Sequence, residues 1–243
     1  MIPYSTCKIC GSPKIFIERS FLKDSKRKSM CKCGICDFAF DIEDNRRAFY
    51  GDEYFNGYVA DEKARQMRID EAHWLVENTN NLSGKTYMEV GPGVGHFMEG
   101  LQEKAPDIVL NAVEIATRAA ESCHKLGAKV IQHDWEGLPY SALVPFYEAC
   151  DLVVSIHCVE HMDEPLLALR KMAWLLKPGG MLYIHTPNND NAKDPDWFHY
   201  HVEHIALFGE CSLRAAFDLI NVKVTCIRKL YGDDLVVIGN RRP

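Results

Sequence analysis

"EVGPGVGHF", residues 89–97, sets three glycines at alternate positions behind an acidic residue. Such a run reaches backbone conformations closed to other residues and lets a ligand approach the main chain. Working outward, "KTYMEV" (85–90) reads as the strand that feeds the turn, and further strands are predicted at 108–114, 128–132, 151–156, 181–186, 222–228 and 234–239. Helices fill the gaps. One follows Asp163, carries Pro165 in its first turn and Leu169, Met172 and Leu176 along one side, and stops at "KPGG". Ser212 is expected to cap another that buries Leu213, Phe217 and Ile220. Before the loop, "EKARQMRIDEAHWLVENTN" places Ile69, Ala72 and Val76 at helical spacing. This alternation predicts an α/β fold, an open and mostly parallel sheet with helices on both faces, whose ligand sits beyond the carboxyl ends of the strands.

Two familiar glycine turns are excluded. A dinucleotide fingerprint needs a glycine where His96 stands, and a phosphate loop needs a Gly-Lys-Ser/Thr sequence after the turn.

The remaining composition bounds the partners. A chain of 243 residues with 47% hydrophobic content can bury one large domain and a small appendage. No apolar run approaches the ~18 residues of a membrane span, and "MIPYSTCKIC" lacks the profile of a signal peptide, so a cytoplasmic location is expected. Residues 1–47 hold 10 Lys+Arg against 6 Asp+Glu, and the rest of the chain 18 against 28, so the first segment is +4 and the remainder −10. An acidic main body argues against a nucleic-acid substrate, while the basic residues Lys23, Lys26, Arg27, Lys28 and Lys32 keep that class open.

Cysteine spacing carries the strongest metal signal. Cys7 and Cys10 form one Cys-x-x-Cys turn, and Cys33 and Cys36 form a second with 22 residues between the pairs. Two such turns offer four thiolates to one tetrahedral zinc, and the turn amides can hydrogen-bond the sulfurs. Residues 1–41 therefore read as a zinc ribbon whose metal is structural, with "KIFIERSFL" and "DFAF" as strands and "KDSKRKS" as an exposed hairpin tip. Cys31 is an alternative ligand to Cys33. The aromatic stretch 42–61, with Tyr50, Tyr54, Phe55 and Tyr58, reads as a linker or a lid, and residues 62–243 as the main domain.

Four ordered stretches of that main domain resemble the class I S-adenosylmethionine-dependent methyltransferases: Glu89 with Gly91, Gly93 and Gly95; Glu114 in "AVEIA"; Asp134 in "QHDWEGLPY"; and "DLVVSIHCVEHMDEP" with "LLKPGGMLYIHTPN". The resemblance implies a Rossmann-like seven-stranded sheet and S-adenosyl-L-methionine as cofactor. It puts the glycines against the methionine portion, Glu114 on the ribose hydroxyls with Ile115 beside it, Asp134 on the adenine amino group and Trp135 over the ring. Glu89 then lends negative charge near the sulfonium or is bound up with loop amides, and His157 borders the cofactor.

Methyl transfer from a sulfonium is an in-line displacement that needs alignment and, for a hydroxyl or amine acceptor, a base. The candidates, in order, are His204, His157, His161 and His201, which follow the fourth and fifth core strands. His201, Glu203 and His204 with His157 also admit an ion, although neighbours on one element point apart. Cys158 reads as a buried thiol, and Cys123, Cys150, Cys211 and Cys226 as core or semi-buried ones.

A two-knuckle ribbon before such a domain resembles bacterial methyltransferases of sugars, polysaccharide precursors and secondary metabolites. The sequence lacks the added C-terminal domain of the longer sugar C-methyltransferases, so O-methylation of a small-molecule or glycan acceptor is expected. The alternatives are a zinc-ribbon ribosomal RNA base N-methyltransferase and a non-catalytic cofactor-binding or scaffold protein. The sequence does not give the oligomeric state.

Overall fold

A computed structural model describes residues 5–23, 26–43, 61–79, 81–191, 203–231 and 234–243. Residues 44–60, most of the expected aromatic linker, lie outside the described residues, as do His199 and His201. In chain order the elements are β1 Ile15–Lys23, β2 Lys26–Cys33, β3 Ala39–Asp41, α1 Glu62–Glu77, β4 Thr86–Val90, α2 His96–Lys104, β5 Val109–Glu114, α3 Thr117–Lys125, β6 Lys129–Gln132, α4 Tyr140–Leu143, β7 Cys150–Ile156, α5 Pro165–Leu175, β8 Leu176–Pro187, β9 Ala206–Leu207, α6 Glu210–Leu219, β10 Val222–Leu230 and β11 Asp234–Arg241. They build a seven-stranded sheet of order β10-β11-β8-β7-β4-β5-β6 and a four-stranded sheet of order β1-β2-β3-β9. Every core strand read from the sequence is present, and β8 starts at Leu176, five residues earlier than expected.

The chain divides into two compact units. In the unit built from residues 49–155 and 175–180, β4 runs parallel to β5 and β7, and β5 parallel to β6. The register pairs Val90 with Val113 and Glu114 with Gln132, so the segments that follow β4, β5 and β6 leave one edge of the sheet. Helix α1 buries Ile69 and Ala72 as its spacing predicts, but Leu75, with Glu71, takes the buried place expected of Val76, which is half-buried. It meets α2 closely at Gly100, where an added Cβ would lie 2.8 Å from the Ile69 Cα.

The other unit, residues 1–48, 156–174 and 181–243, holds the ribbon and the antiparallel strands β8, β11 and β10. Strands β1 and β2 pair from Ile15–Cys33 to Lys23–Lys26, so residue 23 and residues 26–29 of the expected tip are strand. Lys28 is not on a solvated tip. It is fully buried, with its ammonium 3.5 Å from an Asp41 carboxylate oxygen and donating to the His204 carbonyl at 2.7 Å. Burial lowers its pKa while Asp41 holds it up.

Strand β9, too short to register as a pattern, completes the ribbon's sheet by pairing Ala39 with Leu207 and Phe40 with Ala206. Its Leu207 joins Met30 and Ala39 in a small core against Phe21. Phe208 packs on Phe38 at 5.1 Å between ring centroids. A further correction concerns α6. Its cap is Gly209, and Ser212 sits three residues on, accepting from the Gly209 amide at 2.9 Å, while an Asp190 carboxylate oxygen takes the Glu210 amide at 3.0 Å.

Candidate functional site

Gly91, Gly93 and Gly95 all have positive φ, at 71°, 56° and 87°. An alanine would be strained at each, which explains why glycines recur at alternate positions. The turn is pinned by the Gly91 amide donating to the Val113 carbonyl at 2.9 Å and by the Cys123 thiol donating to the Gly93 carbonyl at 3.4 Å. At Gly95 an added Cβ would stand 2.8 Å from a Leu126 methyl.

Glu114 ends β5 beside this turn. It is buried, and its two carboxylate oxygens accept from the Gly93 amide at 3.0 Å and the Ala116 amide at 2.9 Å. Burial raises its pKa and these amides oppose the rise. Each oxygen keeps acceptor capacity beyond one amide. Ile115 next to it is 40% exposed, large apolar surface at a strand end. Asp134 shapes the following turn by accepting the Gly137 amide at 3.1 Å, and Trp135 is buried. These residues fit an adenosine-bearing cofactor without a diphosphate: backbone opened by glycines, a rigidly held carboxylate and an adjoining apolar side chain.

Glu89 departs from both expectations. Its carboxyl group is buried and takes the hydroxyl of Tyr87, two residues away on the same strand face, and not loop amides among the described residues. Burial pushes its pKa up to about 8, with Glu71 adding to the rise and the Tyr87 hydrogen bond opposing it. Burial thus favours the protonated form of Glu89, against the charge that the sequence reading gives it. Tyr87 and Glu71 carry no motif, and only the shared face of β4 could have flagged Tyr87.

Cys7, Cys10, Cys33 and Cys36 converge, with sulfur atoms within 4.8 Å of one another, and Cys31 stands outside the group. The Cys7–Cys36 and Cys10–Cys33 separations are both 3.6 Å, far too long for a disulfide. They match four sulfurs about 3.8 Å apart around a zinc bonded at about 2.3 Å in a tetrahedron. The Ile9 amide donates to Cys7 and the Ile35 amide to Cys33, each at 3.4 Å, as two knuckles require. Of the remaining thiols, Cys123 and Cys150 are buried, Cys226 is half-buried, Cys158 is half-buried and not fully buried as expected, and Cys211 is exposed, contrary to its expected place.

The described histidines of the second unit form two groups that differ from the expected His201–Glu203–His204–His157 set. His157 gathers with His185 and Asp234, and His161 with His204 and Glu160. His157 has φ of 47° and stands between two carboxylates, with Nδ1 3.3 Å from Glu160 Oε1 and Nε2 3.3 Å from Asp234 Oδ2. His161 Nδ1 lies 3.0 Å from the Glu203 carbonyl, so this nitrogen donates, and its ring meets the buried His204 edge-on at 4.9 Å.

Glu160 is fully buried and accepts from Thr186 Oγ1 at 3.0 Å. Burial alone would raise its pKa, but the adjacent His157 and the other imidazoles around it bring it down to about 2. Asp234 is likewise held well below the usual carboxylate range, against its burial, by His157 and His185. The sequence reading missed His185 and Asp234. They lie 49 residues apart, and β8–β11 pairing, which sets His185 opposite Val236, brings them onto one face as diagonal neighbours.

The chain is 28% identical over 120 residues to a ubiquinone biosynthesis O-methyltransferase of Aliivibrio fischeri, a match that covers 49% of this chain and 50% of that protein. The chain thus spans about half the length of the curated relatives it matches. Among solved structures, the complex between the Haloferax volcanii Trm112 methyltransferase activator and a methyltransferase shows the fold at a TM-score of 0.63 and 16% identity, over 78% of this chain and 98% of that one. A SAM-dependent methyltransferase from Aquifex aeolicus does so at 0.59 and 16%, over 78% and 97%. Residues 61–227 match the family model described as a methyltransferase domain, and with the glycine turn, Glu114 and the seven-stranded sheet in place, the chain belongs to the class I S-adenosylmethionine-dependent methyltransferases.

Proposed function

We propose that the protein transfers a methyl group from S-adenosyl-L-methionine to a hydroxyl of a small acceptor, a sugar, polysaccharide precursor or secondary metabolite. The observation that carries this reading is the positive-φ glycine turn locked to the Glu114 carboxylate. The names of the sequence relatives, O-methyltransferases, support oxygen as the acceptor atom. Among the described residues no helix is long and apolar enough to cross a membrane. The burial of Lys28 removes one charge from the basic hairpin, which weakens the ribosomal RNA alternative.

When bound, the cofactor supplies an activated methyl group, and the chain supplies alignment and proton removal. Glu114 holds the ribose, Ile115 and the glycine turn pack the remaining surface, and Asp134 takes the adenine amino group. His161 is the candidate general base. Its Nδ1 donates to the Glu203 carbonyl, so the neutral ring keeps its lone pair on Nε2, and the ionised Glu160 stabilises the imidazolium that forms. His157, with a carboxylate at each nitrogen, and the buried His204 are less suited to accept an outside proton.

Calorimetric titration with S-adenosylmethionine, S-adenosylhomocysteine and NAD tests the cofactor reading. Micromolar binding of the first two, weakened at least tenfold by Glu114→Ala, is expected. Binding of NAD alone would overturn it. With an acceptor found by screening, His161→Ala should keep cofactor affinity and lose turnover by about 100-fold or more; full turnover would remove His161 from the reaction.

A further inference from the structure

His157, His185 and Asp234 fall outside the steps assigned above, and their geometry asks for a positive charge. His157 Nε2 and His185 Nε2 converge on one oxygen, Asp234 Oδ2, at 3.3 and 3.2 Å. Adjacent ligands of a metal bonded at about 2.1 Å stand about 3.0 to 3.4 Å apart in octahedral or tetrahedral geometry. The other nitrogen of His157 lies 3.3 Å from Glu160 Oε1, and Glu160 is fixed in turn by the Thr186 hydroxyl. A carboxylate behind a ligating imidazole is the usual support of a metal-bound histidine, because it fixes the tautomer and turns the opposite lone pair toward the metal.

We propose that His157, His185 and Asp234 form a divalent transition-metal site, with Glu160 as the orienting partner of His157. Two imidazoles and one carboxylate suit zinc, ferrous iron or manganese and leave coordination positions for water or an oxygen ligand. The His185 side chain is fully buried, whereas those of His157 and Asp234 are 20% and 18% exposed, so the site is anchored on one side and open to exchange on the other. The two strands that carry His185 and Asp234 are hydrogen-bonded neighbours, a rigid base for a preformed site. The imidazole and carboxylate donors also separate it chemically from the four-cysteine cluster.

The test uses the 243-residue chain loaded with zinc at its four cysteines. Titration with Zn²⁺ and Co²⁺ should reveal an equivalent beyond the ribbon site, with cobalt bands that lack sulfur charge transfer. His185→Ala and Asp234→Ala should each weaken that equivalent 10-fold or more and leave the ribbon equivalent in place. Should either variant fail to fold, Mn²⁺ added to the unaltered protein decides the matter, by selective broadening of two histidine side-chain resonances. Saturation at the ribbon equivalent, no selective broadening, or a second equivalent indifferent to both folded variants would overturn the proposal and leave His157 as an imidazolium held by two carboxylates. S-adenosylmethionine titrated into the same samples keeps the outcomes apart: cofactor binding without a second cation sinks the site alone, and the reverse sinks only the methyl-transfer reading.

Discussion

A glutamate with an ordinary pKa of 4.5 leaves that value in opposite directions at Glu89 and Glu160, although both are buried. Glu89 has a hydroxyl and another carboxylate for company, so burial wins and the folded protein holds its proton up to about pH 8. The folded state then binds more protons than the unfolded chain between pH 4.5 and about 8, and stability falls as pH rises through that window. Glu160 is surrounded by imidazoles and ionises down to about pH 2, so its contribution is present above pH 4.5 and disappears as pH falls toward 2. Glu89→Gln keeps an acceptor for Tyr87 and cannot ionise. The variant should gain stability at pH 8.5 relative to pH 5.5, compared with the unaltered protein, by roughly 2 to 4 kcal/mol in urea denaturation. Parallel pH dependences of the two proteins would mean that Glu89 ionises freely in the folded state. None of this was legible in "EVGPGVGHF", where an acidic residue before the glycines reads as charge. A buried tyrosine two positions earlier turns it into a proton-bearing partner.

At the scale of elements, the core strands and helices were legible because apolar runs and glycine stops recur at regular intervals. What was lost is instructive in physical terms. "KDSKRKS" reads as a solvated tip, yet Lys28 folds inward because Asp41 and a carbonyl meet its ammonium, and no hydropathy pattern shows a paired buried charge. Strand β9 has two residues, fewer than one alternation period needs, and its pairing partner lies in the ribbon. The glycines can be separated by experiment. At Gly100 the clash of an added methyl is with the Ile69 backbone, 2.8 Å from its Cα, which cannot swing away. Gly100→Ala should therefore cost about 1 to 3 kcal/mol as α1 and α2 are forced apart, with cofactor affinity in the folded protein changed less than threefold. Gly95→Ala meets the movable end of Leu126 but must also hold φ near 87°. It should cost a similar amount and reduce S-adenosylmethionine affinity by 10-fold or more, because the strain falls on the turn itself. Equal affinity losses at both sites would remove the special role given to the turn.

For the whole molecule, the question is how a ribbon of so few apolar residues stays folded. Its buried apolar side chains include Ile9, Met30, Phe38, Ala39 and Phe40, with Leu207, Phe208 and Phe21 packed against them, and each contributes only about 1.5 to 3 kcal/mol when fully buried. Ordering a residue costs about 1 to 2 kcal/mol in backbone entropy, so this cluster cannot offset the ordering of residues 5–43. A zinc held by four thiolates would add its binding free energy directly to folding, because the preformed site exists only in the folded ribbon. The same unit ties the ribbon to later sequence through Lys28 and the His204 carbonyl, through β3 and β9, and through Lys8, which donates to the Asp163 carbonyl at 2.7 Å. Metal analysis should find zinc retained by Cys7, Cys10, Cys33 and Cys36 and lost from Cys7→Ser with Cys33→Ser. Removal of zinc by a strong chelator should open residues 5–43 to protease and release the amides of Ala206 and Leu207 to fast hydrogen exchange. The seven-stranded sheet has its own apolar core and should keep slow exchange in β4, β5 and β7. A chelated ribbon that still resists protease would show that side-chain packing, and not metal, holds it. The four sulfurs, 3.6 Å apart in pairs, would then be a cluster of thiols with no structural duty.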